Sequence, residues 1–383
     1  MLPPLFRKIL AFGDGSKSSY GTVLLAGLEA TQLLSSMAVT ATGLYVVVLG
    51  KELGLSDIEI GSLVTGYAFA LLISTYLFGI LSDMYGTKPF LTIGFLFSSI
   101  MLLLHVLVSN YVSLLFARLT TGVALGIYPG ALFSLAARVH VRIGRFSAYG
   151  SLGGFVGFVI ASLLSGAYGT RALFVFGSIA VMVAFALAIR LKIPRQVTVT
   201  DRPSINPKRT LKENPGIYAA LLLRHWGANL AWTFWPLYML AIGANYFYVG
   251  FISALNYLAQ FLGMFYLADR FGGKKEFDIG LVLSVLAFIG LGLATDLLQL
   301  GSLYVFTGII WAFLYVGGIR TVVDHSNEKG AAIVALNSMV NLSTVLGPML
   351  ATVAIAFMDY RATMYVAAAF GFTSFLISKR IKI

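Results

Sequence analysis

Residues 79–88 read Gly79-Ile80-Leu81-Ser82-Asp83-Met84-Tyr85-Gly86-Thr87-Lys88, and residues 267–274 read Leu267-Ala268-Asp269-Arg270-Phe271-Gly272-Gly273-Lys274. The two stretches align at an offset of 186. Each closes one long apolar run with an acid, a glycine and a lysine before another run begins. Leu44-Tyr45 returns as Leu237-Tyr238 at an offset of 193. Polar punctuation that recurs half a chain later is how a duplicated bundle of membrane-spanning helices registers in sequence.

The composition agrees. Of 383 residues, 58% are apolar and 11% are charged, where a soluble domain carries roughly a quarter charged. At ~20 apolar residues per span, the chain supplies roughly eleven or twelve helices. The mean hydropathy is +0.88. A soluble enzyme, a disordered chain and a disulfide scaffold are excluded. With no cysteine, disulfides, thiol catalysis and cysteine-ligated metals are excluded too. A β-barrel does not fit, because the apolar runs are continuous rather than alternating.

Apolar runs between polar breaks predict an all-α integral membrane fold with 12 transmembrane helices, in two pseudo-symmetric bundles of six. The first six are placed at 19–50, 58–82, 89–108, 111–137, 145–167 and 171–191. The second six are at 215–243, 246–268, 277–297, 301–323, 329–357 and 361–378. The long polar stretch with Pro194, Pro203, Pro207 and Pro215 divides the chain. An N-terminal bundle over 1–191, a cytoplasmic linker over 192–214 and a C-terminal bundle over 215–383 follow. With the N-terminus inside, 22 Lys and Arg fall on the cytoplasmic side, against Lys51, Arg171 and Arg361 outside. That asymmetry predicts that both termini are cytoplasmic. The net charge of +12 therefore records orientation, not a nucleic-acid partner.

The repeated loop resembles the motif G-x-L-A-D-R-x-G-R-K of the major facilitator superfamily. Gly79, Leu81, Asp83, Gly86 and Lys88 match, while Ser82, Met84 and Thr87 depart. The second copy keeps Leu267, Ala268, Asp269, Arg270, Gly272 and Lys274. The resemblance implies a secondary active transporter of the cell membrane working by alternating access. Such a protein is not an enzyme; it needs no cofactor or metal and acts as a monomer in the lipid bilayer. It also implies a gating role for the motif. Asp83 would cap helix 11 near Lys329, and Asp269 would meet helix 5 near Arg145, because helix N-termini favour anions.

Helix 4 carries Arg118 followed by Gly122 and Gly126, similar to the family's second motif. Helix 5 has Gly150, Gly153, Gly154 and Gly157 but lacks the proline common in the family's antiporters, while Gly347-Pro348 stands in helix 11. In the family, helices 1, 4, 7 and 10 line the central cavity, which places Glu29, Arg118 and Arg224 there. A charge inside the hydrocarbon region is costly and usually faces a cavity or a partner. Glu29 and Arg118 are the expected proton-coupling pair; the alternative is a static ion pair between them. Gln32, Ser36, Thr40 and Gly43 repeat on the face of Glu29 at three- and four-residue steps.

Adjacent Arg224 and His225 project about 100° apart. Arg224 suits an anion; His225 suits either proton coupling or packing. His225 shares a face with Asn229 and Trp232, and Arg224 with Trp235. Trp311 and Tyr315 form an aromatic stripe on helix 10; Asn256, Tyr257 and Gln260 on helix 8 and Asn337 and Asn341 on helix 11 complete a candidate substrate site. The three intramembrane charges sum to +1, which points to a small organic anion moved with protons. The alternative is an exporter of drugs or lipophilic compounds.

Overall fold

The computed structural model describes residues 19–138, 143–191, 211–266, 271–326 and 329–380, so the linker expected at 192–214 lies almost wholly outside it. The first half comprises α1a (Ser19–Gly43), α1b (Tyr45–Glu52), α2 (Asp57–Tyr85), α3 (Thr87–Leu104), α4a (Tyr111–Ile127), α4b (Pro129–Arg138), α5 (Ile143–Tyr168) and α6 (Arg171–Arg190). The second comprises α7a (Pro215–Thr233), α7b (Trp235–Ala241), α8 (Tyr246–Tyr266), α9 (Gly273–Leu293), α10 (Leu297–Asp324), α11 (Lys329–Ala354) and α12 (Tyr360–Lys379). Each expected span is helical, and 10 are individually long and apolar enough to cross a membrane. The other two, α7a–α7b and α12, are diluted by polar residues such as Arg224, Asn229, Arg361 and Thr373.

Three spans expected to be continuous are broken. Helix 4 breaks at Tyr128 before Pro129, and helix 7 breaks at Phe234 before Trp235-Pro236. Proline has no N–H to donate and its ring clashes with the preceding turn. Helix 1 breaks beside Gly43, a residue that costs about 1 kcal/mol in a helix interior relative to alanine. The helix 9 and helix 10 runs also begin four residues earlier than expected, at Gly273 and Leu297.

Start signals are chemical. Ser56 and Glu59 form a reciprocal capping box on α2, Asn110 and Ser113 another on α4a, and Asp296 and Asp359 cap α10 and α12. The glycine shared by the two loop repeats has a conformational cause. Gly86 and Gly272 adopt φ of 94° and 88° with extended ψ, a region reserved for residues without a Cβ.

The two halves repeat one packing scheme. α1a contacts α5 and α6, α2 contacts α4a, and α3 contacts α4a and α6. Adding six to each number reproduces the second half: α7a with α11 and α12, α8 with α10, and α9 with α10 and α12. The halves then meet along two equivalent pairs, α2 with α11 and α5 with α8.

Glycines set the close approaches. Gly122 and Gly126 on α4a sit against Tyr67 and Ser74 of α2, and Gly308 on α10 sits against the α8 backbone at Asn256. Gly153 and Gly157 on α5 lie on the α1a backbone, and Gly347 on α11 lies on Asn229 of α7a.

Candidate functional site

Arg118 is buried on α4a, and its guanidinium lies 3.7 Å above the ring of Tyr67 from α2. Its Nε is buried and finds no acceptor among the described residues. Glu29 is buried on α1a. The polar stripe beside it points at α5 rather than into open space. A Cβ on Gly150 would meet Gln32 Nε2 and Ser36 Oγ, and Thr40 Oγ1 lies 3.4 Å from the Gly154 carbonyl. Gln32, Ser36 and Thr40 thus help to seat α1a on the glycine face of α5. Gly43, by contrast, is exposed with open space around it.

In the second half, Arg224 reaches α9. Its Nε donates to Ser284 Oγ at 2.9 Å, and its guanidinium stands 5.6 Å from the Phe288 ring. On the other side, Nη1 lies 3.3 Å from His225 Nδ1. The His225 ring packs at 4.4 Å on Trp311, Trp311 stacks at 5.1 Å on Tyr315, and Tyr315 Oη donates to Asn337 Oδ1 at 2.9 Å. Five residues predicted from three helices, Arg224, His225, Trp311, Tyr315 and Asn337, therefore form one array. Asn229 Nδ2 ties the next turn of α7a to Ser343 Oγ on α11 at 3.0 Å.

A second aromatic group lies further along α7. Trp232 packs edge-on to Trp235 and Tyr304, while Trp235 stacks on Tyr304 at 4.1 Å. Trp235 Nε1 is buried without an acceptor among the described residues. Asn256 Nδ2 donates to the Tyr304 carbonyl at 2.6 Å and to Thr307 Oγ1 at 2.9 Å. Tyr257 meets Phe158 of the opposite half edge-on at 5.3 Å. Gln260 is half-buried on α8, and Asn341 is exposed on α11. An apolar groove of about 550 Å³ between α2 and α4a, lined by Phe69, Ile73, Phe116 and Val123, holds none of these residues.

Of the expected gating residues, Gly79 abuts Gly130 of α4b, and Lys88 is exposed in the first turn of α3. Asp83 falls in the last turn of α2 and Arg145 in the first turn of α5. The side chains of both, and Asp269 and Arg270 entirely, lie outside the described residues. At the end of the molecule away from the basic loops, the halves are clasped. Tyr45 Oη donates to the Tyr246 carbonyl at 2.6 Å, Ser162 Oγ to the Phe247 carbonyl at 2.8 Å, and Tyr360 Oη to Asp57 Oδ2 at 2.8 Å. These clasp residues were not anticipated from the sequence. The available signal was the repeat itself. Gly61 faces Thr352 and Gly250 faces Ser162, and the two glycines stand 189 residues apart.

Twelve spans in two equivalent halves, joined along two equivalent helix pairs, define a multi-pass membrane transporter. The family model of the Major Facilitator Superfamily matches residues 29–258 and 217–381, and the chain belongs to that family. It is a transport protein of the cell membrane, not an enzyme. Among relatives, it is 23% identical to the "Multidrug resistance protein MdtG" of Proteus mirabilis, over 86% of this chain and 88% of that protein. It is 26% identical to a "Putative metabolite transport protein" of Haemophilus influenzae, over 86% and 87%. Among solved structures, a point mutant of the nucleoside transporter NupG superposes with a TM-score of 0.78 at 14% identity, over 93% of this chain and 99% of that one. At that identity the likeness concerns the fold.

Proposed function

We propose that this chain is a proton-coupled secondary transporter that moves a small organic anion by alternating access, with its basic end and both termini in the cytoplasm. The observation that carries the reading is the pair of buried arginines. Arg118 rests on a tyrosine ring, and Arg224 is held by a serine hydroxyl and a histidine nitrogen. Those partners are neutral, neither arginine meets a carboxylate among the described residues, and a buried charge without a counter-charge is costly. A bound anion offsets part of that cost. Glu29, buried among the spans of the first half, is the group assigned to proton coupling, and Arg118 sets the field in that half. The repeated motif is assigned to gating at the basic end, through Asp83, Lys88, Arg145, Asp269, Arg270 and the glycines around them.

A second reading has its own support. Full-length relatives include proteins named for multidrug resistance, and the Trp232–Trp235–Tyr304 group suits a lipophilic ring. Export of a lipophilic cation is therefore the competing function.

Glu29→Gln separates coupling from binding. With one proton moved per substrate, a one-unit pH gradient drives about tenfold accumulation. In proteoliposomes the variant is expected to keep exchange of benzenesulfonate, an anion that does not cross the bilayer unaided, at equal pH and to lose its gradient-driven accumulation. Unchanged accumulation would remove Glu29 from the coupling role.

A further inference from the structure

We propose that Arg224 and His225 form one anion-reading unit, in which Arg224 fixes the neutral His225 ring with its proton on Nε2 and that N–H binds the carboxylate of an aromatic substrate. The proposal rests on the anion reading above and adds the group that reads the charge and the class of anion.

Donors and acceptors decide the tautomer. A guanidinium has five N–H donors and no acceptor, and it stays protonated in proteins. Arg224 Nη1 lies 3.3 Å from His225 Nδ1, so Nδ1 must be the acceptor and carries no proton. In a neutral imidazole the hydrogen then sits on Nε2. An imidazolium would set an N–H against an N–H, so His225 takes a second proton only after Arg224 moves away. Arg224 is not free to do so, because Ser284 of α9 holds its Nε at 2.9 Å.

The ring is fixed from other sides as well. Trp311 packs against it, Tyr315 backs Trp311, and Asn337 of α11 holds Tyr315. These groups from α10 and α11 and the Ser284 hydroxyl from α9 are neutral, so among the described residues Arg224 is the formal charge in contact with the ring. His225 remains partly exposed. Trp311 is partly exposed beside it, and an N–H backed by a buried cation against that indole matches an aryl carboxylate: the substrate ring packs on the exposed part of Trp311 and one oxygen takes the Nε2 proton. His225 thus acts as a fixed donor rather than the proton carrier that its sequence position allowed.

The full-length protein labelled with ¹⁵N-histidine tests this, because the chain has only 4 histidines and single substitutions assign them. Wild-type His225 is expected to stay in the Nε2–H tautomer from pH 8 to pH 5.5, and benzoate is expected to shift its Nε2 resonance. Arg224→Gln should release the ring to titrate as an imidazolium. Benzoate affinity, read by tryptophan fluorescence, should fall about ten- to a hundredfold in His225→Phe, which keeps the ring packing but loses a hydrogen bond to a charged group. His225→Gln, which restores an N–H, should recover most of it. An Nδ1–H or imidazolium form in the wild type at pH 5.5 would overturn the fixed tautomer. Benzoate transport without any change at His225 Nε2 would overturn the site while leaving the anion reading intact. Failure to bind or move any carboxylate, with the tautomer as stated, would overturn the anion reading itself.

Discussion

Gly61→Leu and Gly250→Leu are each expected to hold the halves apart at the end opposite the basic loops and to stop transport. A Cβ on Gly61 would collide with Thr352 Oγ1 and stand 3.1 Å from the Thr352 Cα. A Cβ on Gly250 would lie 2.6 Å from Tyr45 Oη and 2.8 Å from the Ser162 Cα. Backbone atoms cannot swing aside as a side chain can, so the closed state bears the clash and the open state does not. Overpacking typically costs about 1–3 kcal/mol, which shifts a two-state equilibrium by roughly five- to 150-fold. The absence of cysteine makes the measurement clean. A lone Thr65→Cys, at the α2–α11 contact, should react with a membrane-impermeant maleimide at least about tenfold faster when Gly250→Leu is present. An unchanged labelling rate with normal transport would show that this clasp does not gate the closed end.

The second large effect concerns stability within each half. Gly153→Val and Gly347→Val are expected to destabilise the protein, each by about 3 kcal/mol or more, because both insert a branched side chain into a backbone contact. A Cβ on Gly153 strikes the Leu33 carbonyl oxygen and lies 3.0 Å from Ser36 Cβ; one on Gly347 strikes Asn229 Cβ and lies 2.8 Å from the Asn229 carbonyl carbon. Each 1 kcal/mol lowers the melting temperature by roughly 2–4 °C in a domain of this size. A fall of about 6–12 °C in detergent is therefore expected for either variant. Gly43→Ala, which meets nothing within 4 Å, serves as the control with little change. Equal melting temperatures for all three would contradict the packing scheme.

Much of the fold was readable because periodicity, hydropathy and repetition act over long windows. The loop repeat at an offset of 186 foretold a second half that packs as the first does. The breaks at Tyr128 and Phe234 had a local cause in Pro129 and Pro236, whereas the break beside Gly43 had a weaker one.

The site was readable only in part. Helical spacing correctly grouped Gln32, Ser36 and Thr40 on one face, but spacing cannot say which neighbour that face meets. The glycines of α5 held that information. The adjacency of Arg224 and His225 implied diverging directions; they do reach different helices, α9 and α10, yet their side chains also meet at 3.3 Å. That Ser284 of α9 would hold the guanidinium depends on tertiary packing between residues 60 apart, which no local pattern encodes. The clasp residues Tyr45, Ser162, Asp57 and Tyr360 were missed for the same reason, since hydroxyls near helix ends are too common to single out.

Proton-driven movement of an anion is tested most directly with wild-type protein in proteoliposomes under an imposed pH gradient, using radiolabelled benzenesulfonate, which stays ionised and does not cross the bilayer unaided, and tetraphenylphosphonium as the anion and cation probes. Benzenesulfonate is expected to accumulate about tenfold per unit of gradient, with accumulation absent from protein-free liposomes, abolished by a protonophore, and no gradient-driven movement of the cation. Proton-driven export of tetraphenylphosphonium with benzenesulfonate unmoved would contradict this and establish the lipophilic-cation exporter instead.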